Sequence, residues 1–156
     1  HQRLPGGCAV NETMYLLDNH VLGPLGPKRR ASAFFRENCR IPKEVAYEAR
    51  FFTYDDSLKP ITVAMTPNIL HWLVEVMKTV PAAPSKLIDL HANKGTADPV
   101  LVAMALAFNN PTVPSLFPDT WVIVTKDQAV ILKATEMGIG TETPERLHEI
   151  MDAAHP

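Results

Sequence analysis

Met14-Tyr-Leu-Leu17 is an unbroken apolar run that stops at Asp18, which predicts a short buried strand. Gly23 to Arg30, "GPLGPKRR", reads as a breaker-rich loop with a basic end, and Ala31 to Asn38 as a short helix. Pro42 suits a first helical position, so a second helix is expected from there to about Phe52, followed by the loop "YDDSLKP". Thr66 then caps a strongly periodic segment. Pro67 stands first, and Ile69, Leu70, Leu73, Val76, Met77 and Val80 recur at three- and four-residue steps until "PAAP" stops them. A further short helix is expected over Ser85 to His91. Asp98 reads as an N-cap, Pro99 as the first helical residue, and the nine apolar residues that follow as a buried helix. Val122 to Val124 reads as a strand, Asp127 to Met137 as a helix, and Ile139 to Thr141 as a short strand. A last helix begins at Thr143 and Pro144.

Strands alternating with helices predict a parallel sheet covered on both faces. The expected fold class is α/β, a three-layer α/β/α sandwich with a short, mainly parallel sheet. Residues 1–13 read as a lead-in. Residues 14–156 form a single domain with a helical elaboration at about 53–95.

The 156 residues suffice for one domain with a real core. The 14 prolines are scattered, which argues against a disordered Pro-rich chain. A net charge of −2 argues against holding nucleic acid by bulk positive charge, while leaving local contact open. Cys8 and Cys39 make no CxxC pair and lie at no zinc-finger spacing from a histidine. Two free thiols in a reducing compartment are expected, a Cys8–Cys39 bridge being the alternative. No stretch is apolar for long enough to span a bilayer, and "HQRLPGG" has no apolar leader segment, so the cytoplasm is the expected compartment. Starting on His rather than Met, the chain is expected to belong to a longer gene product.

The chemistry-bearing residues are acids. Ligands in open α/β sheets sit outside the carboxyl ends of the strands, and Asp18 and Asp127 follow the strands "MYLL" and "WVIV". If those strands are neighbours, two carboxylates face one crevice. On the helix from Pro42, Ile41, Val45, Ala49 and Phe52 make the apolar face. At 100° per residue Glu48 falls at its edge, where Glu44 lies further toward water. Asp98 opens the most apolar helix. Each acid also has a plain structural role: Asp98 and Asp127 as caps, Asp18 as a turn residue, Glu48 as a snorkelling side chain or the partner of Arg40 or Arg50. Capping and ligation are compatible in one aspartate. Carboxylates converging in one crevice repel, and a hard divalent cation relieves this by taking oxygen ligands. Such an ion can lower the pKa of a bound water and offset charge at a phosphodiester, so metal-dependent hydrolysis needs no protein nucleophile. Nucleotide-cofactor and covalent readings find no glycine-rich phosphate loop and no GxSxG. His20 could reach the crevice, Lys28 to Arg30 and Lys126 could meet a nucleic-acid backbone, and Trp72 and Trp121 could stack on bases. A solvated loop and core packing are the plain alternatives.

Taken together these segments resemble the PIN domain, the family that includes VapC-type toxin ribonucleases. "YLLDNHVL" looks like its opening strand with a first acid at Asp18, and "IPKEVAYEA" resembles the helix carrying its glutamate, at Glu48. "GTADPVLVAMAL" looks like the segment where an aspartate, Asp98, opens a central apolar helix. "VIVTKDQAVILKATEMGI" is similar to the late strand, Thr-x-Asp turn and helix, with Thr125 and Asp127. "TPERLHEIM" is similar to the closing helix, so the likeness covers about residues 14–151. The resemblance implies a PIN-like α/β/α fold and a Mg²⁺- or Mn²⁺-dependent endoribonuclease acting on single-stranded RNA. Asp18, Glu48, Asp98 and Asp127 would hold one or two ions and Thr125 would orient the site. A homodimer and, for a toxin, an antitoxin partner are also implied. The chain departs from the family in having His20 where a small polar residue is usual, in the Gly23–Arg30 interruption, and in longer stretches at 53–95 and before the late strand. A PIN fold acting only as a binding or assembly module is the alternative. A receiver-like domain would want a lysine ending a late strand, for which Lys126 is a poor substitute.

Overall fold

The structure is a computed structural model that describes residues 12–50, 56–80 and 97–154, apart from the side chains of residues 97 and 98. The first strand, β1 (Thr13–Leu17), buries its last four residues. Helix α1 (Asn19–Arg30) follows at once, with Asp18 as its N-cap. The expected loop at Gly23–Arg30 is therefore helical. Val21, Leu22 and Leu25 are buried on the core, and this burial outweighs the helix-breaking tendency of Pro24. The regular path breaks only at Gly26, where φ is 79° and ψ 162°. Pro27 then opens a last turn, its carbonyl accepting from the Ala31 N–H at 3.0 Å.

Helix α2 (Ala33–Asn38) is capped by Ser32, whose hydroxyl accepts from the Phe35 N–H at 3.2 Å, and Phe35 is wholly buried. Two strands lie where none is expected: β2 (Cys39–Pro42) and β3 (Thr62–Val63). Pro42 consequently ends a strand and caps helix α3 (Lys43–Ala49) instead of opening it. Within the expected loop at 54–60, a 3₁₀ turn spans Asp56–Ile61 and leads into β3. Helix α4 (Pro67–Lys78) starts as expected, with the Thr66 hydroxyl accepting from the Ile69 N–H at 3.2 Å. The short helix expected over 85–91 lies outside the described residues, as does Cys8.

Helix α5 (Ala97–Asn109) is the most apolar element, and residues 101 to 107 are all buried. It starts one residue before Asp98, which thus stands in the first turn rather than at the cap. The Asn109 side chain clamps the next strand, donating to the Trp121 carbonyl and accepting from the Trp121 N–H, both at 3.0 Å. That strand is β4 (Thr120–Val124), followed by α6 (Gln128–Glu136), β5 (Thr141–Glu142) and α7 (Pro144–Ala154). Strand β5 sits later than the expected 139–141, because Gly138, at φ 77°, ends α6 and turns Ile139 into the core.

The five strands form one parallel sheet in the order β3-β2-β1-β4-β5. β1 pairs with β2 on one side, Tyr15 opposite Cys39, and with β4 on the other, Leu17 opposite Val124. Helix α5 packs on β4, β2 and β1 and carries α4 and α6. Helices α1, α2 and α7 pack on one another, with α2 also against β1 and β2. The arrangement is compatible with the expected three-layer sandwich. Of the 53–95 stretch, the described part supplies a sheet strand and a helix packed on α5. Among the described residues no helix is long and apolar enough to cross a membrane.

Candidate active site at the sheet switch point

The chain winds from β1 outward to β2 and β3, then returns to place β4 on the other flank of β1. The carboxyl ends of β1 and β4 are thus the point where the winding reverses, the place where open α/β sheets hold ligands. Asp18 directly follows β1, and Thr125 to Asp127 directly follow β4. The ladder extends to the first of them, with the Asp18 N–H donating to the Val124 carbonyl at 3.2 Å.

Asp18 is 3% exposed and Thr125 1%. A carboxylate that deep needs partners, and it has them. Its Oδ1 accepts from the Asn19 N–H at 2.7 Å and its Oδ2 from the Thr125 hydroxyl at 2.9 Å. The same hydroxyl accepts from the Asp127 N–H at 3.0 Å. Thr125 therefore ties the two aspartate positions together across the sheet. Asp127 caps α6, its Oδ1 accepting from the Ala129 N–H at 2.9 Å. Capping a helix and standing at the crevice are compatible in one aspartate.

Glu48, in the last turn of α3, is half-buried, and its Oε2 accepts from Asn19 Nδ2 at 2.8 Å. Burial first, then the negative charge of Asp18, pushes its carboxyl above the usual carboxylate range. His20 pulls it back, and Glu44 adds a smaller push upward. The arginines weighed as partners bond elsewhere: Arg40 to the carbonyls of Arg36 and Cys39, Arg50 to the Tyr47 carbonyl and over the Tyr47 ring.

No family model matches the chain, and no curated protein matches it. The site therefore rests on its own geometry.

Asp98 belongs to the backbone of α5's first turn, and its side chain lies outside the described residues. The last residue of α5 clamps the start of β4. At 13 residues, a helix is about 20 Å long, long enough to carry its first turn toward the edge that holds Asp18 and Asp127. Among the described residues no three His, Cys, Asp or Glu side chains form a ready ligand group, a search that does not include Asp98. The donor set nonetheless suits a hard cation. Its atoms are carboxylate oxygens, and the groups that hydrogen-bond Asp18 and Glu48 are a hydroxyl, an amide and a backbone N–H, none of which cancels charge.

Of the other candidates, His20 is exposed on α1 and close enough for its charge to act on Glu48. In the basic run at the far end of α1, Arg29 is paired with Asp152 at 2.9 Å and Arg30 is buried, donating to the Leu22 carbonyl at 3.0 Å. Lys126 is paired with Glu145 at 2.7 Å. Trp121 is half-buried against Phe108, 4.4 Å between ring centroids, and Trp72 packs against the core. Asn19 is the residue at this crevice that sequence reasoning misses. A polar residue just past an N-cap carries no signal of its own, and only the packing of α1 on α3 gives it a partner.

Proposed function

We propose that the chain is a PIN-like endoribonuclease, dependent on Mg²⁺ or Mn²⁺, that hydrolyses phosphodiesters of single-stranded RNA. The observation that carries the reading is the Asp18–Thr125–Asp127 hydrogen-bonded unit at the switch point of a parallel sheet, with Glu48 held beside it through Asn19. Asp18, Glu48, Asp127 and, from the first turn of α5, Asp98 would hold the cation. When bound, such an ion supplies Lewis acidity toward a phosphodiester oxygen and toward water. Thr125 holds the Asp18 carboxylate in one rotamer and fixes the turn that aims Asp127. Burial of Asp18 and Thr125 keeps bulk water from screening their charges and dipoles. An antitoxin and a second copy of the chain are the partners this reading brings with it.

The test is cleavage of a single-stranded RNA in Mn²⁺, with and without chelator, by the wild type and by Asp18→Asn and Asp98→Asn. Chelator-sensitive cleavage that either substitution lowers by about 100-fold or more fits the loss of a preorganised charged group. Mn²⁺ uptake without cleavage would instead favour a PIN-like binding module. No uptake at all would sink the metal reading.

A further inference from the structure

The first residue of α1 touches both of the carboxylates that flank it. The Asn19 backbone N–H donates to Asp18 Oδ1 at 2.7 Å, and the Asn19 side-chain amide donates to Glu48 Oε2 at 2.8 Å. Two acids 30 positions apart in sequence, on different elements, are thus spaced by one residue. We infer that Asn19 is a positioning residue of the cation site, holding Glu48 in register with Asp18 without discharging either. This rests on the metal-dependent reading above.

The chemistry of the side chain supports the assignment. An ionised carboxylate only accepts hydrogen bonds, so the amide nitrogen must be the atom that faces Glu48. An amide is neutral. It directs Glu48 by hydrogen bonding while leaving the negative charge that attracts a cation. A lysine or arginine in its place would orient Glu48 equally well and cancel that charge. The placement is also rigid. The Asn19 backbone is fixed by the Asp18 cap in the first turn of α1, and α1 packs against α3, which carries Glu48 on its last turn. Groups that hydrogen-bond a metal ligand restrict its rotamers, and losing one typically weakens metal binding by about 10- to 100-fold. Helix formation alone does not require an amide here, since alanine is acceptable inside a first turn.

The test measures Mn²⁺ binding directly, by calorimetry on the full chain, for wild type, Asn19→Ala, Glu48→Ala and the double variant. Circular dichroism without metal checks that each is folded. Asn19→Ala is expected to bind Mn²⁺ about 10-fold more weakly than wild type. In the Glu48→Ala background the same substitution is expected to change nothing further, because its partner is gone. Asn19→Ser, whose hydroxyl is one bond shorter than the amide nitrogen, should reproduce the loss and serves if the alanine variant does not fold. Wild-type affinity in Asn19→Ala, or an undiminished effect in the Glu48→Ala background, overturns the assignment while leaving the metal reading intact. A wild type that takes up no Mn²⁺ overturns the metal reading and this assignment with it.

Discussion

At the residue scale, Thr125 is the hinge of the site. Its hydroxyl donates to a buried carboxylate and accepts from a backbone N–H at the next turn. Thr125→Val keeps the shape and removes both bonds, which leaves the largely buried Asp18 short of a partner. Such a loss costs about 1–3 kcal/mol, and urea unfolding should show it. Thr125→Ser, which keeps the hydroxyl, should cost less. Equal stability of Thr125→Val and wild type would mean that the hydroxyl does not hold Asp18. The cap role of Asp127 and its place at the crevice are legible in the sequence, because a strand ending in Thr-x-Asp before an amphipathic run announces a cap and a crevice together. Glu48 is legible too, since its angle on the helix separates it from Glu44. Asn19 is not, because its meaning depends on which helix packs beside it.

At the element scale, the least legible pieces are the shortest and the most strained. Strands β2 and β3 have four and two residues, too few to show a period. They are strands because β1 offers β2 an edge and β2 offers one to β3. That cause is non-local, so no local pattern records it. Helix α1 hides behind two glycines and two prolines whose breaker signal is correct only at Gly26. With φ 79° and ψ 162°, Gly26 occupies a region essentially closed to other residues. No heavy atom lies within 4 Å of where its Cβ would be, so the strain is of the backbone alone. Gly26→Ala should destabilise the fold by about 1–3 kcal/mol, whereas Gly23→Ala, with ordinary φ and the same open space, should be neutral or mildly stabilising. Chemical denaturation of the pair distinguishes them, and equal stabilities would exclude the kink as a strained point.

At the scale of the whole molecule, the parallel α/β class was readable from alternating strands and helices, while the strand order was not, since it follows from which edge each returning strand finds. The core runs through the middle of the sheet, where Cys39 is fully buried opposite Tyr15. Burial pushes its thiol up to about 12, from an ordinary value of 9.0. The folded state therefore keeps the Cys39 proton longer than the unfolded state does. Its contribution to stability is whole below about pH 9 and is lost as the pH rises toward 12. Stability curves of wild type and Cys39→Ala should run parallel below pH 9. They should converge above it, and native Cys39 should react with thiol reagents only as fast as the protein unfolds. Curves that stay parallel to pH 11 would contradict a thiol buried in the sheet.

The Asp18 N–H to Val124 carbonyl bond has one more consequence, a metric one. The two aspartate turns leave adjacent strands just past their last paired residues, so their separation is inherited from the spacing of hydrogen-bonded chains, about 4.8 Å in any sheet. The spacing of the backbones from which Asp18 and Thr125 project is thus a property of peptide geometry, whereas Asp127 is placed by the turn that the Thr125 hydroxyl closes. A substitution at Thr125 can re-aim Asp127, but the strand spacing beneath the site is not a side chain's to alter.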